Sequence, residues 1–117
     1  MTSFRRSSAI EELDVARFGG PTSMIEVDVL VGVTETELVK PNPDRLMLIV
    51  ANNGTSGINL STTSPVTLTR GLPLGEGSLI VFSAFDDGVF VGRRLYAIAQ
   101  AAATPITVIE VERAHRL

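Results

Sequence analysis

A chain of 117 residues has room for one domain, and a balance of 44% hydrophobic to 20% charged residues is that of a folded globular unit, not a disordered one. The absence of Cys excludes disulfides, thiol nucleophiles, iron–sulfur clusters and zinc fingers together. The formal net charge is −3, and the cations are scattered, which argues against a nucleic-acid partner, because neutralising phosphates takes clustered Lys and Arg.

Residues 1–20 are polar and mixed in charge, with Arg5, Arg6, Glu11, Glu12, Asp14 and Arg17, and they end in Gly19-Gly20-Pro21. No apolar stretch follows the arginines, so a secretory leader is not expected, and no run approaches the roughly 20 apolar residues that span a bilayer. Ser8 with Glu11 three positions later makes a capping-box pattern, consistent with a short helix over Ala9–Phe18 that places Ile10 and Leu13 on one side. Such a helix is marginal alone, and an extended, unstructured tail is the other reading. Either way, residues 1–23 form an arm whose candidate partner-binding residues are Phe4, Arg5, Arg6, Ile10, Leu13 and Phe18.

From Met24 the period becomes two. Ile25, Val27, Val29 and Val31 alternate with Glu26, Asp28 and Leu30, the pattern of a strand with one buried face. Val33–Val39 continues in β-favouring residues after a bend or bulge at Gly32. Pro41-Asn42-Pro43-Asp44 forbids helix and makes a turn. Arg45–Ala51 is a continuous apolar run, read as a central strand. Asn52-Asn53-Gly54 then predicts a tight hairpin, with Gly57–Ser61 returning. Val66–Thr69 is a further short strand, and Arg70–Gly77 is a loop pinning Leu72 and Leu74 against the core. Ser78–Phe85 is a strand, Asp86-Asp87-Gly88 a turn, and Val89–Val91 a short strand. Arg94–Gln100 is the next strand, although Ala97–Ala103 has high helix propensity. In the last strand Ile106 and Val108 share one side and Thr107, Ile109 and Val111 the other, so both faces are expected to be partly covered. The sum is an all-β domain over residues 24–117 of about eight strands, a β-sandwich of jelly-roll type with an N-terminal arm.

Chemistry is sparse. The single His, His115, lies near the C-terminus, where nothing would hold a catalytic base rigidly, and one His is too few for a cupin-type metal site. Glu26, Asp28, Glu35 and Glu37 follow the polar phase of their strands and read as a solvated face. Asp86 and Asp87 lack the ligand count of a calcium loop. Gly71-Leu72-Pro73-Leu74-Gly75-Glu76-Gly77 lacks the Lys-Ser/Thr and the helix of a phosphate loop. Arg93-Arg94 reads as a strand end that can meet an acidic partner. Phe82, Phe85, Phe90 and Tyr96 read as core or interface. Neither an enzyme nor a cofactor is expected.

The succession Pro41-Asn42-Pro43-Asp44-Arg45, Leu46-Met47-Leu48-Ile49-Val50 with Asn52-Asn53-Gly54, Gly71-Leu72-Pro73-Leu74, Leu95-Tyr96-Ala97-Ile98-Ala99 and Ile106-Thr107-Val108-Ile109-Glu110 resembles small β-rich virion proteins of tailed bacteriophages. These decorate or cement the capsid, or form head fibres. The likeness spans residues 40–111 and brings no catalytic residues. It implies a structural protein of the virion, made in the host cytoplasm and bound to the major capsid protein, and a homo-oligomer, often a trimer, with no nucleic-acid or membrane partner. A different class, a ligand- or receptor-binding module of a head fibre or tail, would need a concave polar-aromatic surface, for instance near Asp86–Arg94.

Overall fold

A computed structural model describes residues 22–114, with Phe85, Asp86, Val89 and Phe90 described in backbone only. The arm residues Phe4, Arg5, Arg6, Ile10, Leu13 and Phe18, and His115, lie outside the described residues.

The described residues form eight strands: β1 (Thr22–Val31), β2 (Thr36–Val39), β3 (Arg45–Asn52), β4 (Ile58–Ser61), β5 (Leu72–Leu74), β6 (Leu79–Ser83), β7 (Leu95–Ala99) and β8 (Thr104–Arg113). They make two four-stranded antiparallel sheets, β1-β8-β3-β6 and β2-β7-β4-β5. The first strand pairs with the last, β2 with β7, β3 with β6 and β4 with β5. The chain is therefore one long double ribbon, turned back between β4 and β5 and rolled up. The roll closes where β3 meets β8 and β4 meets β7. This is the jelly-roll order, and it confirms the β-sandwich expected from the alternation.

Branched aliphatic residues from both sheets fill the interior, among them Val31, Leu48, Val50, Ile58, Leu60, Ile106 and Val108, closed by Phe82. Ala97 and Ala99 on β7 are fully buried, so the sheets approach closely at this central strand. Pairing on both sides, with β2 and β4, overrides the helix propensity of this alanine-rich stretch.

Several local expectations are corrected. Asn52-Asn53-Gly54 closes no hairpin, because β3 and β4 lie in different sheets. The buried Asn52 side chain organises the crossing instead. Its amide donates to the Ser56 and Leu74 carbonyls at 2.8 and 3.1 Å, and its carbonyl accepts the Gly54 N–H at 3.0 Å. Val66–Thr69 is a loop with one isolated bridge, Thr67 to Arg70. Here the Glu35 carboxylate takes the Val66 N–H at 2.7 Å, and the Thr67 hydroxyl accepts the Thr69 N–H, so local bonds replace a ladder. Arg70–Gly77 is not all loop. Leu72–Leu74 is an edge strand, where Pro73 is tolerated, and only Leu74 of the two leucines is buried.

Strand Ser78–Phe85 ends at Ser83. A short helix, α1 (Ala84–Asp87), and a 3-10 turn (Gly88–Gly92) replace the expected strand at Val89–Val91. The Asp87 carboxylate accepts the Ser83 N–H at 2.8 Å and starts this crossover from the first sheet to the second. Val33–Glu35 forms a corner, so the second strand is only Thr36–Val39. On β1 the inward phase is as expected, but Ile25 and Val27 stay substantially exposed. The facing edge strand β2 has four residues against the ten of β1 and leaves the start of β1 uncovered.

Candidate functional site

Antiparallel register fixes what the outer face of the first sheet presents. One row across it is Val81, Ile49, Ile109 and Glu26. The next is Ser83, Met47, Val111 and Met24, and on the other side come Leu79, Ala51, Thr107 and Asp28. Met24, Leu30 and Leu79 are 69%, 66% and 61% exposed, and Val81 is 46% exposed. Met47, Ile49, Ile109 and Val111 are half-buried. Among the described residues, acids stand on this face only in β1, at Glu26 and Asp28, where Asp28 accepts a hydrogen bond from the Thr107 hydroxyl at 2.9 Å. The outer face of the second sheet differs in kind. It carries Glu37, Tyr96, Ser61 and Asn59 around Ile98 and Pro73. Sandwich strands normally alternate apolar-in with polar-out. The second sheet follows that rule and the first does not. This explains the unbroken apolar run of β3, which reads as a strand covered on both faces although only one is covered by the described residues.

The second feature is a cleft of about 740 Å³ at one end of the sandwich, where β3 begins, β8 ends and β7 begins. Its walls come from the β2–β3 turn, the α1/3-10 crossover and the strand ends. They combine Pro41, Pro43, Leu46, Ala84 and Val91 with Arg93, Arg94 and Arg113. Arg45 sits beneath it, 2% exposed. Its Nε donates to Glu110 at 2.7 Å, its NH1 to the carbonyls of Val91 and Arg93 at 3.0 and 2.9 Å, and its NH2 to the Lys40 carbonyl at 2.7 Å. NH2 also lies 2.6 Å from Glu110. One guanidinium thus ties together the β2–β3 turn, the crossover and β8.

Asn42 adds to this frame. Its amide donates to Glu112 at 2.6 Å, and its backbone N–H donates to the Gly92 carbonyl at 2.8 Å. Gly92 is required there, since a Cβ would stand 2.8 Å from the Asn42 carbonyl oxygen. The rim arginines differ from Arg45. Arg94 donates to the Tyr96 hydroxyl at 3.0 Å and lies 3.9 Å from Glu37. Arg93 and Arg113 have no carboxylate partner among the described residues.

Of the four carboxylates read as a solvated face, Glu26 and Asp28 are on the exposed outer side of β1. Glu35 instead has a structural job. The Ser64 hydroxyl first, at 2.6 Å, and then the Val66 N–H hold its carboxyl below the usual glutamate range. The surface expected near Asp86–Arg94 is concave, but its described walls are apolar and cationic, not polar-aromatic. Among the described residues no group of three or more His, Cys, Asp or Glu converges as a metal site would require. The sequence reading missed the buried role of Arg45. Its one visible trace is a cation heading an otherwise apolar strand. No protein-family model matches the chain, and no curated protein matches it.

Proposed function

We propose that this chain is a structural assembly protein that docks onto a larger particle through the outer face of its first sheet. The reading rests on one observation. That face is mainly apolar across β6, β3 and β8, with its acids confined to β1, while the outer face of the second sheet is mainly polar. A broad apolar surface on a small domain marks an interaction site, and interface area, not chemistry, is what a bridging protein needs. The resemblance to small virion proteins of tailed bacteriophages supplies the particle: a phage head, with the chain as a decoration or cement protein on the major capsid protein. Copies that cover one another's edge strands would form the homo-oligomer this implies. The alternative of a ligand-binding fibre module draws on the cleft alone.

The test is to add the purified chain to heads lacking it and to measure binding by co-sedimentation and head survival on heating. Saturable binding with raised heat resistance is expected. Heads that neither bind the chain nor change in stability would contradict the reading.

A further inference from the structure

We infer that the arginine-rimmed cleft is the docking site of the chain's own N-terminal arm, and that it takes the acidic-apolar segment Ile10-Glu11-Glu12-Leu13-Asp14. This inference does not rest on the head-binding reading, which concerns a different surface.

Three independent features converge on it. The first is composition. The cleft pairs an apolar lining, with Leu46, Ala84 and Val91, to the cations Arg93, Arg94 and Arg113. The segment Ile10–Asp14 pairs two branched aliphatics with three carboxylates. The arm's cations, Arg5, Arg6 and Arg17, lie outside that segment, so its local charge is wholly negative. Guanidinium forks suit carboxylates because each can accept two parallel N–H bonds.

The second is need. Arg93 and Arg113 have no carboxylate partner among the described residues, and Arg94 has only a 3.9 Å contact with Glu37. Arg45, by contrast, is saturated by Glu110 and three carbonyls and has nothing left for a guest. The guest's acids would therefore meet the rim, and its aliphatic side chains the lining.

The third is position. Thr22, the first residue of β1, is the direct register partner of Arg113, which forms part of the rim. The arm thus leaves the sandwich beside the cleft. Asp14 precedes Thr22 by eight residues, and a chain of that length spans up to roughly 27 Å. The segment reaches the cleft without strain, and Gly19-Gly20 allows the chain to turn back. Tethering also favours this guest over any free acidic peptide, because a short linker holds it at a millimolar-scale effective concentration.

The chain has no Cys, so one introduced cysteine labels one place. The experiment places a nitroxide at Thr62→Cys on the cleft wall of the full chain and reads paramagnetic broadening of the backbone amide signals of residues 10–14 by NMR. Docking predicts that these signals lose most of their intensity, while those of residues 1–5 keep more of theirs. The double variant Arg93→Glu/Arg113→Glu should restore the intensity, and so should high salt. Adding Glu11→Arg/Glu12→Arg to that double variant should bring the broadening back. Both arginines are exposed, Arg113 at the end of β8 and Arg93 in the bend before β7, and an unchanged β-sheet spectrum checks that each variant folds. Full intensity at residues 10–14 in the unsubstituted background, or broadening indifferent to the arginines, would overturn the inference. Mixing isotope-labelled, nitroxide-free chains with unlabelled, nitroxide-bearing ones separates the sources. Broadening in that mixture would show an arm exchanged between copies and overturn docking within one chain.

Discussion

Replacing Arg45 by Met should be among the most damaging single changes to this domain. The guanidinium is 2% exposed and serves Glu110 together with the carbonyls of Lys40, Val91 and Arg93. Met fills a similar volume but leaves the Glu110 carboxylate, whose side chain is only 19% exposed, without its counter-charge. Breaking a buried pair from one side costs about 3–5 kcal/mol, and three orphaned carbonyls keep the cost in that range even though Glu110 retains some solvent. Total stabilities of small domains are about 5–15 kcal/mol, so the loss is a large fraction, equivalent to a fall in Tm of roughly 10–20 °C. With no Trp to report, far-UV circular dichroism in urea and on heating is the appropriate assay. The double variant Arg45→Met/Glu110→Leu should recover a substantial part of the loss, because no unpaired charge remains. A single variant within about 1 kcal/mol of the parent would refute the reasoning. So would a double variant no more stable than the single one.

Asn52→Leu should cost about 2–3 kcal/mol, because it strands the Ser56 and Leu74 carbonyls and the Gly54 N–H inside the sheet-to-sheet crossing; urea unfolding measures it. Gly71→Ala should destabilise by about 1–3 kcal/mol, since Gly71 has φ 121° and a Cβ there would meet the Leu60 carbonyl oxygen at 2.6 Å; the same titration applies. For Glu35 the folded-state pKa lies below the unfolded value. Its contribution is therefore present above the unfolded pKa and is lost as pH falls through the lower, folded one. Hydrogen exchange at the Val66 amide, corrected for intrinsic rates, should rise in that window, and Glu35→Gln should weaken the pH dependence.

Period-two alternation and the Pro, Gly and Asn breakers were enough to read an all-β sandwich from the sequence, because they report directly on one-sided burial and on backbone conformation. They fell short where the chain changes sheets. Asn52-Asn53-Gly54 has hairpin chemistry, yet the buried Asn52 amide reaches Leu74 far along the chain and redirects the turn. Val89–Val91 has strand-forming residues, but the register of β6 and β7 in separate sheets demands a crossover there. The apolar outer face of the first sheet was legible only in part. The apolar run of β3 and the two-sided β8 pointed to strands covered on both faces, while which side stays open depends on sheet packing. The cleft was not legible, because Pro41, Leu46, Val91 and Arg113 meet only after the ribbon is rolled.

The central claim is that the outer face of the first sheet is the docking face. Matched lysine substitutions test it most directly: Ile49→Lys in the middle of that face, and Asn59→Lys on the outer face of the second sheet, each titrated against heads lacking the chain. Burying a lysine in place of an apolar anchor should weaken binding at least about tenfold, or 1.4 kcal/mol, for Ile49→Lys, with Asn59→Lys binding like the parent and both variants folded. Equal binding by all three proteins, or a loss confined to Asn59→Lys, would contradict it.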